Sequence, residues 1–389
     1  HTVIVPPYGK ELTDTTCVNC GQCAQVCPVG AISIRDDTRK VYDNMAAGKT
    51  MVIQMAPSVR ITLAESLGAR PGTVTTGKIV HALKKIGFYK VFDSDFSADL
   101  TIMEEGSEFL QRLTEGGVMP LITSCCPAWV KYCETYAPEF TANLSSAKSP
   151  QQMFGSVIKT AFAEREGIAG TDICSVSVMP CTAKKFERQR PEMKDDVDIV
   201  ITVQALARMI RTAGIDFDNL EDAPFDAPFG LGSGAAQIFG ITGGVMEAAL
   251  RTVYEVVTGE TLEQLEFHQV RGFEGVKEAV VQVGETAVKV AAVHGLANAR
   301  ELLKRMREGT ADYHFIEVMT CTGGCIGGGG NAPTTRKKLE ARRDAIYRED
   351  RNLPLRKSHD NPYVQLLYRE YLGKPLSERS NELLHTTYT

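Results

Sequence analysis

A mixed α/β fold with mostly parallel sheets flanked by helices, preceded by a small cofactor-held module, is what the sequence predicts. Three observations carry this. From about residue 50, strand-like apolar runs alternate with helix-period segments, the pattern of parallel sheets covered on both faces. Three of those apolar runs lead straight into a cysteine. The first 45 residues hold four cysteines but no amphipathic helix of useful length, so a bound cofactor has to replace the missing core.

Taken in order, "KTMVIQMAP" (49–57) reads as a buried strand. "TGKIVHALKKIGF" (76–88) reads as an amphipathic helix, with Ile79, Leu83 and Ile86 on one face. "KVFDS" is a strand and "ADLTIMEEGSEFLQRL" a helix. "GVMPLITS" is a strand running into Cys125 and Cys126. "SPQQMFGSVIKTAFAERE" is a helix, with Ser149 expected as N-cap, Pro150 in the first helical position and Gln152 at capping-box spacing. "ICSVSVMP" is a strand running into Cys181, and "DIVITVQALARMIRTAG" is a strand followed by a helix. "TAVKVAAVHG" is a strand, "ANARELLKRMREG" a helix, and "YHFIEVMT" a strand running into Cys321. The charged stretch from about 340 reads as a wrapping extension. The expected division is therefore a module over 1–45, a catalytic domain over 46–340 and a C-terminal extension over 341–389.

Composition narrows the function. The 389 residues are enough for two or more cores. A formal net charge of −5 gives no global basic field for nucleic acid. No apolar run reaches the roughly 18 residues of a membrane span. The chain shows no secretory signal at His1, which points to the cytoplasm, and it opens on a residue other than Met, which leaves room for an upstream segment. The eleven cysteines are odd in number and mostly clustered, so metal is favoured over disulfides.

The run "CVNCGQCAQVCPVGAI" (17–32) is C-x2-C-x2-C-x3-C-P. Thiolates at such gaps wrap the corners of a cubane, the bacterial ferredoxin pattern for a [4Fe–4S] cluster. A zinc knuckle is the plainer alternative, but zinc sites rarely need a third close cysteine followed by C-P. Cys17, Cys20 and Cys23 are assigned to the cluster. Cys27 either closes the same cluster or serves another one, as in two-cluster ferredoxins. The other loops are "TSCCPAW", "MPCTAKKFE" and "EVMTCTGGCIGGGG". In open α/β sheets, ligands gather beyond the carboxyl ends of the strands, so the three loops are expected to converge on one metal pocket. The glycines suit a backbone packed against a bulky centre, although alone they would also fit a flexible loop.

These loops resemble the three active-site signatures of [FeFe]-hydrogenases. The resemblance extends through "MAPSVR", "TIMEEGSEF", "NLSSAKSPQQ", "IFGITGGVMEAALR", "VRGFEGVKEA" and the "KSHDNP…YLGKP…LLHTTY" tail, nearly the whole chain. It implies a two-lobed α/β domain with an H-cluster in the cleft, a ferredoxin-like module and a small-subunit-like tail. It implies Cys126, Cys181, Cys321 and Cys325 as ligands of a [4Fe–4S] part, with Cys325 bridging to a two-iron subcluster that carries CO, cyanide and azadithiolate. Lys184 would donate to a cyanide. Pro57, Ser58, Gln151, Met179, Met319, Phe239 and Gly240 would line the pocket, whereas each methionine judged alone reads as core packing.

The resemblance further implies a proton route through Cys125, Glu105, Ser145 and Glu108. Adjacent side chains diverge, so Cys125 faces away from the iron that Cys126 holds, and a thiol titrates near enough to neutrality to relay protons. Glu105 and Glu108 lie three apart on one helix face; alone they would read as a solvated pair. Glu187 is read as a structural ion-pair partner, and Cys133 and Cys174 as small buried residues. Ala128 replaces a common Gly of the family, and Thr322 is expected to alter polarity around the cluster, beside the variable Thr320. The implied activity is reversible H2 formation, with electrons from ferredoxin or a redox partner subunit and maturation proteins supplying the two-iron subcluster. A hydrogenase-like H2 sensor and an iron–sulfur assembly protein are the alternatives.

Overall fold

The computed structural model describes residues 9–388. Its strands are β1 (Thr50–Met55), β2 (Lys90–Asp93), β3 (Leu121–Ile122), β4 (Ile173–Met179), β5 (Ile199–Thr202), β6 (Val276–Val283), β7 (Thr286–His294) and β8 (Phe315–Met319). One sheet has the order β2-β1-β4-β5 and is parallel throughout, with Thr50 opposite Ile173 and Val176 opposite Ile199. All seven residues of β4 are buried, as a strand covered on both faces requires. The second sheet has the order β3-β8-β7-β6. There β3, β8 and β7 run parallel, with Leu121 and Val290 both registered on Phe315. Each sheet has its own apolar core, which makes the domain two-lobed.

Local chemistry explains most boundaries. Asp93 ends β2 and caps the helix Ser94–Glu115 by accepting from the Asp95 amide. Thr202 ends β5 and caps Val203–Thr212 through the Ala205 amide. Against the first sheet, Phe92, Phe96, Phe154, Phe162 and Phe229 pack with ring centroids 4.9–6.4 Å apart.

Several expectations change. The strand over "GVMPLITS" shrinks to two residues, because Pro120 has no N–H for the ladder. Ser149 sits at the N-cap, with Pro150 following, but its hydroxyl donates to Glu187 Oε2 at 2.9 Å and does not cap. Gln152 likewise turns to Glu187, at 3.3 Å. The helix runs from Pro150 to Glu166 only by way of a π-turn at Ile158–Phe162. A helix does occur within the first 46 residues: Thr38–Ala46 buries Val41 in the core of the first sheet. Before Asp37, however, no described residue is buried, as a cofactor-held module requires. The antiparallel strand β6 is new, joined to β7 by a two-residue turn with Gly284 at φ 57°.

The tail helix Arg336–Asn352 is bolted to the second lobe by charge. Arg251, fully buried on the helix Gly244–Thr258, donates to Asp350 Oδ1 and Oδ2 at 2.9 Å and to Glu247 at 2.6 Å. Removing one partner of such a set leaves buried carboxylates uncompensated. Arg251→Leu is expected to cost about 3–5 kcal/mol, read as a lowered denaturant midpoint. A midpoint unchanged by the substitution would contradict this account of the tail.

Candidate metal-cluster site

The three cysteine loops do converge. β3 and β8 deliver Cys125, Cys126, Cys321 and Cys325 from one lobe, and β4 delivers Cys181 from the other. All five line one largely apolar cavity between the sheets, with about 780 Å³ of empty space including its mouth. Pro57, Ser58, Gln151 and Met179 line it from the first lobe's side, and Phe239, Gly240 and Met319 from the second. Every residue expected in the pocket is there.

The donor set fits a cluster better than an ion. Among the described residues, no group of three or more His, Cys, Asp or Glu is placed to hold a single metal ion. The four thiols stand around open space instead, as a centre with its own sulfides requires. Burial raises the Cys181 and Cys321 thiols and pushes Cys325 up to about 12. Without metal these three thiols therefore keep their protons, and cluster binding has to displace them. Ser58 Oγ is buried on the wall without a hydrogen-bond partner, a donor left for a ligand.

Cys125 and Cys126 diverge as adjacent residues must. Cys126 Sγ lies 3.4 Å from Thr320 Oγ1, which lines the cavity beside Cys321. Cys125 is raised by burial first and by Glu105 second. Lys184 Nζ reaches the Cys125 carbonyl at 3.0 Å and the Glu187 carboxylate at 3.0 and 3.1 Å. Burial would lower Lys184, but Glu187 together with Cys181 and Cys125 outweighs it and keeps the ammonium charged. Glu187 also accepts from Ser149 and Gln151 at 2.9 and 3.1 Å, a buried hub beyond a simple ion pair.

Glu105 and Glu108 are both buried on the helix Ser94–Glu115, not solvated. Neither Glu105 oxygen has a direct hydrogen bond. Burial, then the neighbouring Glu108, lifts its carboxyl to about 8, with Ser145 pulling it partly back. Ser145 Oγ donates to Glu108 Oε2 at 2.9 Å, and Arg112 holds Glu108 Oε1 at 2.5 Å toward the surface. Ser145, Glu108 and Arg112 are thus joined by direct hydrogen bonds, with Glu105 three residues before Glu108 on the same helix.

The N-terminal module seats on the same site. Gln22 Nε2 donates to Cys321 Sγ at 3.2 Å and to the Gly327 carbonyl at 3.0 Å. A Cβ on Gly329 would stand 2.4 Å from the Cys20 carbonyl, and one on Gly324 2.6 Å from the Thr242 amide. The glycine run is thus packed, not slack. Burial raises Cys20, and so do Cys17, Cys23 and Cys126. Cys27 is lowered by the amides of Ile32, Ala31, Val29 and Gly30.

Residues 49–329 match the iron only hydrogenase large subunit, C-terminal domain; 336–389 match the iron hydrogenase small subunit, and 13–33 a 4Fe-4S binding domain. The chain belongs to the iron-only hydrogenase family. It is 51% identical to the NADP-reducing hydrogenase subunit HndD of Solidesulfovibrio fructosivorans, over 99% of this chain and 68% of that protein. It is 44% identical to iron hydrogenase 1 of Clostridium pasteurianum, over 93% of this chain and 65% of that one. The solved apo [FeFe]-hydrogenase HydA1 of Chlamydomonas reinhardtii is 38% identical with a TM-score of 0.82, covering 91% of this chain and 99% of that one. Cytosolic iron-sulfur assembly component 3 of Mus musculus is also similar, 31% identical over 96% of this chain and 82% of that protein.

Within this hydrogenase-family chain, one expectation about polarity is overturned. Thr322 is exposed, and Thr320 is the threonine beside a ligand cysteine. Cys133 and Cys174 are buried in apolar cores, as read. Gln22, Arg112 and Thr320 were not found as site residues from sequence. For Arg112 a signal existed, the i,i+4 spacing after Glu108. Gln22 carried none, since its partner lies 299 residues away. Among the described residues, no helix is long and apolar enough to cross a membrane.

Proposed function

We propose that this chain interconverts protons, electrons and H2 at an H-cluster in the inter-lobe cavity. The supporting observation is one juxtaposition: four ligand-type thiols, a fifth thiol beside them, and near that thiol two buried carboxyls, one of them bonded to the Ser145 hydroxyl. When bound, the two-iron part with its CO, cyanide and azadithiolate supplies the H2 chemistry. Cys126, Cys181, Cys321 and Cys325 would hold the centre. Lys184 presents a charged donor and Ser58 a neutral one to anionic ligands. The apolar wall excludes water.

Cys125 passes the proton to Glu105, and water carries it on to Ser145, whose hydroxyl donates to Glu108, itself held by Arg112. A carboxyl near 8 keeps its proton at neutral pH yet gives it up at small cost, as a relay needs. Electrons enter through the N-terminal [4Fe–4S] cluster, because Cys20 and Gln22 abut the ligand loops. A ferredoxin or a redox subunit docks there. The assembly-protein reading draws on the mouse relative, but Cys125, Lys184 and the relay have no task in it. H2 turnover at background in fully matured protein would overturn the catalytic proposal.

Gln22 tests the electron side. A donor to a cluster thiolate favours the reduced, more negative state. Gln22→Ala is expected to lower the cavity cluster's midpoint potential by a few tens of millivolts, the equivalent of a hydrogen bond of about 1 kcal/mol. An unchanged potential in a redox titration would remove Gln22 from this role.

Glu105 carries a pH signature in the metal-free protein. Its carboxyl rises from 4.5 to about 8 on folding. Between those values the folded chain binds more protons than the unfolded one, so this group's contribution to stability falls as pH rises through that window. Glu105→Gln is expected to flatten that fall in denaturant titrations between pH 5 and pH 8. Equal slopes in both proteins would show that Glu105 is not raised.

A further inference from the structure

We infer that the C-terminal segment positions the proton route, with His385 as a strut between the Glu105-bearing helix and the Ser145-bearing loop. The inference rests on the proton-route reading above. His385 lies beyond the cavity and touches none of its lining. One ring nitrogen, Nε2, stands 2.9 Å from Glu104 Oε2; the other, Nδ1, stands 2.8 Å from Ser146 Oγ. Glu104 precedes Glu105 on the helix and points away from the route. It is fully buried and also takes the Tyr368 hydroxyl at 2.5 Å and the Leu376 amide at 2.9 Å. Helix Ser94–Glu115 therefore holds the tail with one glutamate and the route with the next.

Ser146 is equally placed between two tasks. Its amide donates to Glu108 Oε1 and Oε2 at 3.2 and 3.0 Å. Its hydroxyl meets His385. The backbone around both residues pairs as a short antiparallel bridge, with Ala147 opposite His385, the Lys148 amide on the Leu384 carbonyl and the Thr386 amide on the Ser146 carbonyl, each bond 2.8 Å. Ser145 Oγ accepts from the Ala147 amide at 3.2 Å while it donates to Glu108. The hydroxyl that holds Glu108 is thus aimed by a three-residue loop, and the tail fixes that loop's register. A hydroxyl displaced by about 1 Å breaks a hydrogen-bonded relay. Among the described residues of the tail, no other side chain hydrogen-bonds both the helix and the loop.

His385 is a positioning residue, so its test separates aim from mere stability. His385→Ala and Ser146→Ala are each expected to slow H2 turnover in matured protein at least tenfold. The double variant is expected to be no slower than either single, because one link is cut in all three. Infrared bands of the assembled centre should not change. In metal-free protein, amide exchange at Ser146 and Ala147 should rise in both singles. Should His385→Ala fail to fold, Ser146→Ala decides alone, since it keeps the amide and loses only the link. Full turnover in either folded single, or effects that multiply in the double, would overturn the inference. Glu105→Gln serves as the separate control: if it too keeps full turnover, the proton route itself is wrong; if it alone is inactive, only the strut is.

Discussion

Cys125→Ala leaves the metal centre assembled and cuts H2 turnover by about 10²–10⁴-fold, the range for loss of a positioned proton-transfer group. The geometry makes the two halves of this result separable. Cys126 groups with Thr320 and the ligand cysteines, while Cys125 faces the buried Glu105 and the Lys184 ammonium contacts only its carbonyl. Removing one sulfur at Cys125 takes no ligand from the cluster and leaves the Lys184–Glu187 pair in place. Turnover by gas chromatography and infrared spectra of the same preparation give both readings. Full activity in the variant would move the relay elsewhere.

Cys325→Ala has the opposite profile. Its thiol sits on the cavity wall after Gly324, whose backbone at φ 92° packs against Ile241 and Thr242. The other four cysteines of the cavity each have a separate task in this account, so none is left to replace the bridge. The variant is expected to lose turnover and the CO and cyanide bands, while keeping the electron paramagnetic signal of the N-terminal cluster. Normal iron content and bands in Cys325→Ala would show that another residue carries the bridge.

What was legible in the sequence was whatever one segment encodes alone. The strands at 173–179 and 315–319 are largely apolar runs that lead straight into Cys181 and Cys321, and the apolar run before Cys125 does the same, so their convergence was readable from sequence. The seven lining residues followed from motif resemblance. What failed was encoded between segments. Ser149 looked like a cap because capping chemistry is local; Glu187, 38 residues on, took its hydroxyl. β6 was missed although "VKEAVVQVGETAVKV" carries alternation around a Gly-containing turn, because its charged positions hid the period. Glu105 and Glu108 could not be told from a surface pair by composition, since their burial depends on the loop at 145–147 and on the tail. His385 and Gln22 lie 239 and 299 residues from their partners. No pattern of spacing reports such contacts.

The most direct test of the central claim is infrared spectroscopy with iron analysis on protein matured together with its cluster-building partners. The account predicts metal-bound CO and cyanide bands, and iron for two cubane clusters plus a two-iron unit. Iron–sulfur signals without any CO or cyanide band would contradict it and leave an assembly-type protein in its place.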